Sequence, residues 1–589
     1  MADQRMDHEP WPMRAALLLA IGALCGLAVN RLISHIEWES AEGVTRLSLA
    51  TFIAISGLLF AVTLERERWK WSLAFALGAG AVLGLLFYWN GNPDRHSADA
   101  GWRMVAGLLS VAIAAPLFQT FRDQGDRSLP YGPVHAHAWV NIVLWCVAWT
   151  FVAITWLLAQ LLAELFQLIG IHLLRDLLSH DWFDLMLVGG TLGAAIGLLR
   201  DRDRIVGLLQ RVVTSILSVL APVLAVGLVL FVLSLPFTGL DALWDQTRAT
   251  TPILLACVAG AFILANAVIG TAPEEESRNP VLRWSAMGLG AVMLPLAAVA
   301  AVSTGLRVRQ HGFTPDRLWA IMFVAIVLAC ACLYLYALVR GRSAWADRVR
   351  PANVRLAIGI CIVALLLATP LADFGAISTR DQLARLDSGA VTAQDFDWRA
   401  MRFDFGPSGV AALERLKAGA ANAEARRLAT QALSAEGPWD VATPQQEQRE
   451  REAARNLRVL PAGAQIPDSL RREVVRSSGC GGEQLCALLY EASANRAVVV
   501  ISQCPSVNDL AGANPPMASC GRPSTRAYYL VGDQWAMNAG EPGPALPQAQ
   551  AEARDAAIIA ALRQGQIEVR PVQRRQVFIG GQPVGDAFD

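Results

Sequence analysis

The chain has 589 residues, 54% of them hydrophobic and only 17% charged, with 50 basic and 50 acidic side chains that cancel. A water-soluble chain carries about 25% charged residues, so the deficit argues against a wholly soluble protein. With no net charge and no basic patch interleaved with aromatics, nothing favours nucleic-acid binding.

The first residues, MADQRMDHEPWPMR, include Asp3, Asp7 and Glu9, and no small-residue cleavage site follows the first apolar run. Residues 1–12 therefore read as a cytoplasmic leader to an uncleaved span, not a signal peptide. Apolar runs then recur at 13–33, 47–64, 71–89, 102–121, 138–163, 182–199, 212–235, 252–270, 284–306, 318–339 and 356–374. Each is about long enough to cross a hydrocarbon core of roughly 30 Å as a helix. Tryptophans such as Trp11, Trp89, Trp182 and Trp345 mark their ends, where amphipathic rings anchor at headgroup level. The stretch ELFQLIGIHLLRDLLSH at 164–180 is mixed in charge and is expected to lie flat on the membrane surface. Gly22 and Gly26, Gly80 and Gly84, and Gly189, Gly193 and Gly197 recur at helical spacing, which lets spans approach closely.

Eleven spans place the two ends of the chain on opposite sides. If residues 1–12 are cytoplasmic, the inside segments carry 18 Lys and Arg and the outside segments 9. The positive-inside rule favours that orientation, in a bacterial inner membrane, with the C-terminal region outside the cytoplasm.

Cys25, Cys146, Cys257, Cys330, Cys332 and Cys361 fall in the apolar runs and read as small hydrophobes. Cys480, Cys486, Cys504 and Cys520 all lie in the C-terminal region, an even set that reads as two disulfides in an oxidising compartment. Four cysteines allow three pairings, of which Cys480–Cys486 with Cys504–Cys520 is the most local. A metal site needs tighter ligand pairs, and no histidine follows His311.

The fold expected is thus mostly α: a polytopic transmembrane bundle of about eleven spans over 13–375, then a soluble α+β region. Residues 376–460 carry short amphipathic helices such as PSGVAALERLKAG and TPQQEQREREAARNLRVL, separated by Gly or Pro. Residues 461–589 carry strand-like runs: CALLYEA, AVVVISQ, AYYLVGD, QWAMNAG, IEVRPV and QVFIGG. SANR reads as a hairpin turn, and PQAQAEARDAAIIAALRQG as a helix flanking an antiparallel sheet.

Three polar sets are candidate sites. Asn30, Asn141, Glu164 and Asn266, with Gln119 and Gln160, lie in or near the ends of spans. Such residues mark transport pathways when they converge, and otherwise bond helices together. His135 and His137, two residues apart, point to different faces of a helix, which disfavours a shared metal. In RVRQHGFTPDRLWA, Arg307, Arg309, His311 and Asp316 offer a loop site, while Thr314 can cap a helix beginning at Pro315. The chain has no Gly-rich phosphate loop, HExxH or GxSxG motif, so no catalytic residue, cofactor or metal is assigned.

Four stretches together resemble the bacterial membrane proteins grouped as domain of unknown function 4153. They are ELFQLIGIHLLRDLL, PFTGLDALWDQTRATTPILL with Asn266 in the next span, RQHGFTPDRLWA, and ISTRDQLARLDSGAVTAQDFDWRAMRFDFGPSGVAALERL. The resemblance covers most of residues 13 to about 420 and implies an integral envelope protein with no assigned chemistry. The functional expectation is a non-enzymatic anchor in membrane lipid whose C-terminal domain binds an envelope partner or senses. A transporter or flippase using a polar seam, and an enzyme working from the C-terminal region, are the alternatives.

Overall fold

The structure is a computed structural model. It describes residues 11, 13–34, 36, 40–92, 97–125, 128–239, 250–438, 440–441, 451–460, 464–477, 480, 485–492, 495–503, 521–531, 534–539, 575–579 and 582–588. Compact units form on either side of Pro438, Met1–Pro438 and Trp439–Asp589.

The first unit is helical: Arg14–Ile33 (α1), Ala41–Thr63 (α2), Trp69–Asn90 (α3), Ala100–Gln124 (α4), Tyr131–Leu168 (α5), Leu173–Leu178 (α6), Asp181–Arg200 (α7), Asp203–Thr238 (α8), Thr250–Ile269 (α9), Pro280–His311 (α10), Pro315–Gly341 (α11) and Ala346–Ala368 (α12). Among the described residues eleven of these, all but α6, are long and apolar enough to cross a membrane, as the sequence leads one to expect. The stretch 164–180 is not one surface element. Its first residues continue α5 to Leu168, and only Leu173–Leu178 forms a separate short helix. No Gly or Pro interrupts the chain between Ala136 and Leu168, and it turns only at Gly170, so helix propagation carries through.

Lipid supplies no hydrophobic drive between spans, so close backbone packing must hold them. The tightest case is α1 against α7. A Cβ built at Gly22 would lie 2.0 Å from the Gly189 carbonyl oxygen, and one at Gly189 would lie 2.2 Å from the Gly22 oxygen. A larger core joins α8 to α12, with Ala261, Leu289, Met293, Leu296, Ala331 and Tyr334 all buried.

After α12 come Phe374–Asp387 (α13), a π-helical turn at Ala400–Asp404, Gly406–Gly419 (α14) and Ala423–Ser434 (α15). These helices belong to the first unit.

In the second unit, Leu457–Leu460 (β1), Asp468–Ser477 (α16), Leu485–Glu491 (β2), Arg496–Gln503 (β3), Gly521–Val531 (β4) and Gln534–Ala539 (β5) form a helix on a five-stranded sheet of order β1-β2-β3-β4-β5. Arg575–Ile579 (β6) pairs with Gln582–Phe588 (β7) in a separate ribbon. Strands β2 to β5 are antiparallel, with Glu491 paired to Arg496 where β2 and β3 meet; Ser493 and Ala494 of the expected SANR turn lie outside the described residues. The sheet is nevertheless mixed, because β1 runs parallel to β2. The helix expected to run through Leu460 stops at 456, and Leu457 and Val459 turn instead onto the sheet core. A parallel neighbour requires a crossover, and α16 supplies it; its short, charge-rich turns hid it in the sequence. Leu488 faces Val499 and Cys486 faces Ile501 across the ladder, all four buried, so alternate residues fill one face. IEVRPV and the helix assigned to PQAQAEARDAAIIAALRQG lie outside the described residues.

Candidate functional site

Two ends of the helical unit gather polar groups. At one, helix carbonyls left without partners at span termini are met by arginines. Arg122, itself buried, donates from Nη1 to Ser72 Oγ at 2.9 Å and from Nε to Asp123 Oδ1 at 2.7 Å. Arg68 donates to the Arg122 carbonyl and Arg200 to the Val62 carbonyl. Arg14 reaches the Arg200 carbonyl and Asp201, both at 3.3 Å. Guanidinium groups there also complement the negative ends of helix dipoles.

The same end holds a closed triad. Asn266 donates to Tyr334 Oη at 2.6 Å, Tyr334 donates to Asn353 Oδ1 at 3.1 Å, and Asn353 donates back to Asn266 Oδ1 at 2.6 Å. It ties α9, α11 and α12 together with every member satisfied. Beside it Arg350 binds Asp347 at 2.7 Å, Glu276 at 3.3 Å and the Ile269 carbonyl at 3.0 Å.

The residues proposed as a membrane seam take separate partners. Asn141 exchanges hydrogen bonds with Gln119, at 2.8 and 3.4 Å. Asn30 accepts from Ser34, Asn266 joins the triad, and Glu164 is exposed on α5. His135 meets Tyr131 Oη at 2.9 Å, whereas His137 meets Asp123 at 3.2 Å. Among the described residues no three His, Cys, Asp or Glu side chains group as a metal site.

At the other end the α10–α11 turn is the centre. Arg307, Arg309, His311 and Asp316 are all exposed there, and the turn is held by residues of α13. Asp381 accepts from the Phe313 amide at 2.7 Å, and Gln382 donates to the His311 and Phe313 carbonyls at 3.0 Å. Arg385 donates to the Gln310 carbonyl at 2.9 Å, and Arg317 to those of Gly312 and His311 at 2.9 and 3.1 Å. Thr314 caps α11, accepting from the Arg317 amide at 3.4 Å. Nearby, fully buried Asp99 pairs with Arg103 at 2.9 Å and accepts from Ser97 Oγ at 2.5 Å and Trp319 Nε1 at 3.4 Å. Asp381, Gln382, Arg385, Asp99 and Tyr334 were not singled out from the sequence. The available signal was that RQHGFTPDRLWA and ISTRDQLARL are both distinctive polar stretches next to spans.

Asp404 lies beside this turn, its carbonyl accepting from the Ala98 amide at 3.1 Å. Burial pushes its carboxyl above the ordinary range, with Arg399 opposing and Asp397 and Asp316 reinforcing the shift. A carboxyl raised in the folded state is disfavoured when ionised, so it lowers stability as pH rises from the unfolded value through the folded one. Asp404→Asn is expected to unfold at slightly higher temperature than the parent at pH 7, with the difference vanishing below the ordinary carboxylate range. Thermal midpoints at both pH values check this, and an equal midpoint at pH 7 refutes it.

In the second unit Cys480 and Cys486 form a disulfide, both residues buried in the sheet core. Cys504 and Cys520 lie outside the described residues. By chain entropy, a crosslink of sequence separation 6 contributes roughly 2 kcal/mol. Replacing both cysteines by serine is expected to lower the denaturant midpoint of this unit accordingly. A variant that unfolds like the parent contradicts this.

A bundle of eleven apolar spans, tied at its ends by arginines and amide networks and followed by a mixed sheet, defines a polytopic membrane protein with a separate C-terminal unit. More particularly, the chain belongs to the DUF4153 family, a domain of unknown function whose model matches residues 50–416. No curated protein and no solved structure matches the chain.

Proposed function

We propose that this is a bacterial inner-membrane anchor whose C-terminal unit lies outside the cytoplasm and binds a protein partner of the envelope, for assembly or sensing. The observation that carries the reading is the set of eleven candidate spans among the described residues, an odd number, combined with a disulfide in the unit that follows the last of them. Disulfides persist in oxidising compartments and are rare in the cytosol. The crowding of Lys and Arg on the segments assigned inside supports the same orientation. The polar groups of the spans support an anchoring role, since the Asn266–Tyr334–Asn353 triad satisfies itself and binds three helices together.

A phosphatase fusion at residue 589 is expected to be active and a fluorescent-protein fusion at the same position dark. The opposite pattern removes the orientation. Co-purification from crosslinked membranes is expected to capture an envelope protein with the full chain and to lose it on deletion of 439–589. Capture that survives the deletion removes the binding role.

A further inference from the structure

The C-terminal unit carries an open groove of about 640 Å³ between α16 and the start of β5. That is within the size range of ligand sites, roughly 300–1,000 Å³. Arg471, Arg472 and Arg476 of α16 line it, together with Glu473, Gln534 and Trp535. The helix is amphipathic, with Leu470 and Val474 buried beneath it and its arginines on the faces turned away from that core. Their pairing is lopsided. Arg476 is held by Glu473 at 2.7 Å, while among the described residues Arg471 and Arg472 have no acidic partner.

Exposed arginines on a helix are commonly a solvated face. The groove has a second feature that solvation does not explain. Trp535 is 8% exposed, and its indole Nε1 is buried with no hydrogen-bond partner among the described residues. A buried donor without an acceptor is costly, and buried indole N–H groups usually find one. Trp535 lines the groove, so an acceptor that enters there and opens the contact around the ring restores the bond. Trp535 belongs to β5, the last strand of its sheet, whose outer backbone groups are unpaired among the described residues. Such an edge accepts an extended chain by strand addition.

We propose that this groove binds an extended, acidic peptide segment of a partner protein. Its carboxylates lie against Arg471 and Arg472, where planar guanidinium groups accommodate both carboxylate oxygens. Its main chain runs beside β5, and one of its acceptors meets Trp535 Nε1. The edge strand favours a peptide over a free anion or a lipid headgroup, neither of which uses backbone pairing. The assignment deepens the partner-binding reading above and rests on it.

The test uses the detergent-solubilised full chain and a fluorescein-labelled hexaglutamate peptide, followed by anisotropy. Saturable binding is expected. Arg471→Glu combined with Arg472→Glu, both exposed positions, is expected to weaken it by about tenfold or more through charge reversal. Trp535→Phe keeps a ring but loses the N–H, and is expected to weaken binding by about threefold or more. Absence of saturable binding overturns the proposal. So does an effect of the arginine changes without one from Trp535→Phe, which marks general surface charge. Displacement by an equal charge of inorganic phosphate, or by anionic vesicles, also overturns it, assigning an anion or lipid site. If hexaglutamate fails while envelope capture still requires residues 439–589, the groove is wrong and the partner reading stands. If capture survives the deletion but hexaglutamate binds, the reverse holds.

Discussion

Gly189→Leu is expected to destabilise the helical unit by about 3 kcal/mol, the upper range for forced overpacking. The cause is backbone against backbone. A Cβ at 189 meets the Gly22 oxygen at 2.2 Å and its carbonyl carbon at 3.0 Å, and neither can swing aside as a side chain would. The spans α1 and α7 must separate, and the close approaches at Gly26 and Gly193 are lost with the first one. Where lipid is as apolar as the side chains, dispersion at such contacts is what joins helices. Thermal unfolding in detergent, read by a thiol-reactive dye on the native cysteines, is expected to show a midpoint lower by several degrees. Gly78→Leu is the control, because a Cβ there meets nothing within 4 Å. Equal midpoints for the two variants would falsify the packing account.

That contact shows what the sequence could reveal. Spacing of Gly22 with Gly26, and of Gly189, Gly193 and Gly197, marks a small-residue face, but says nothing of which face it meets. Span number and placement were legible because length and hydropathy are local properties that lipid enforces strictly. The polar networks were not, since Tyr334 sits in an otherwise apolar run and finds Asn266 and Asn353 only through three-dimensional packing. In the C-terminal unit the strands from Leu485 to Ala539 showed themselves by β-branched and aromatic runs. Leu457–Leu460 did not, because four residues following a charged helix carry no period of their own, and their pairing with β2 is decided by the α16 crossover. The loop candidates Arg307, Arg309, His311 and Asp316 lie at the α10–α11 turn, while the groups that hold that turn lie about 70 residues later in the chain.

The turn itself gives the second large effect. Gly312→Ala is expected to cost about 3 kcal/mol, combining a backbone conformation that is essentially restricted to glycine with a clash. Gly312 has φ 73° and ψ −174°. A Cβ there would lie 2.5 Å from Asp381 Oδ2, 2.6 Å from Gln382 Nε2 and 2.7 Å from Arg385 Cδ. These three side chains are the ones that satisfy the last carbonyls of α10 and the Phe313 amide, so the methyl group displaces the whole clamp. Asp381→Ala alone leaves that amide without its acceptor and is expected to cost about 1–2 kcal/mol. Because the two changes act on one contact, they should couple: the double variant removes the nearest clashing oxygen, and the Phe313 amide hydrogen bond is lost only once. Its midpoint in detergent is expected to lie well above the value obtained by adding the two single losses. Additive losses would show that Asp381 and Gly312 act independently and that α13 does not hold the turn.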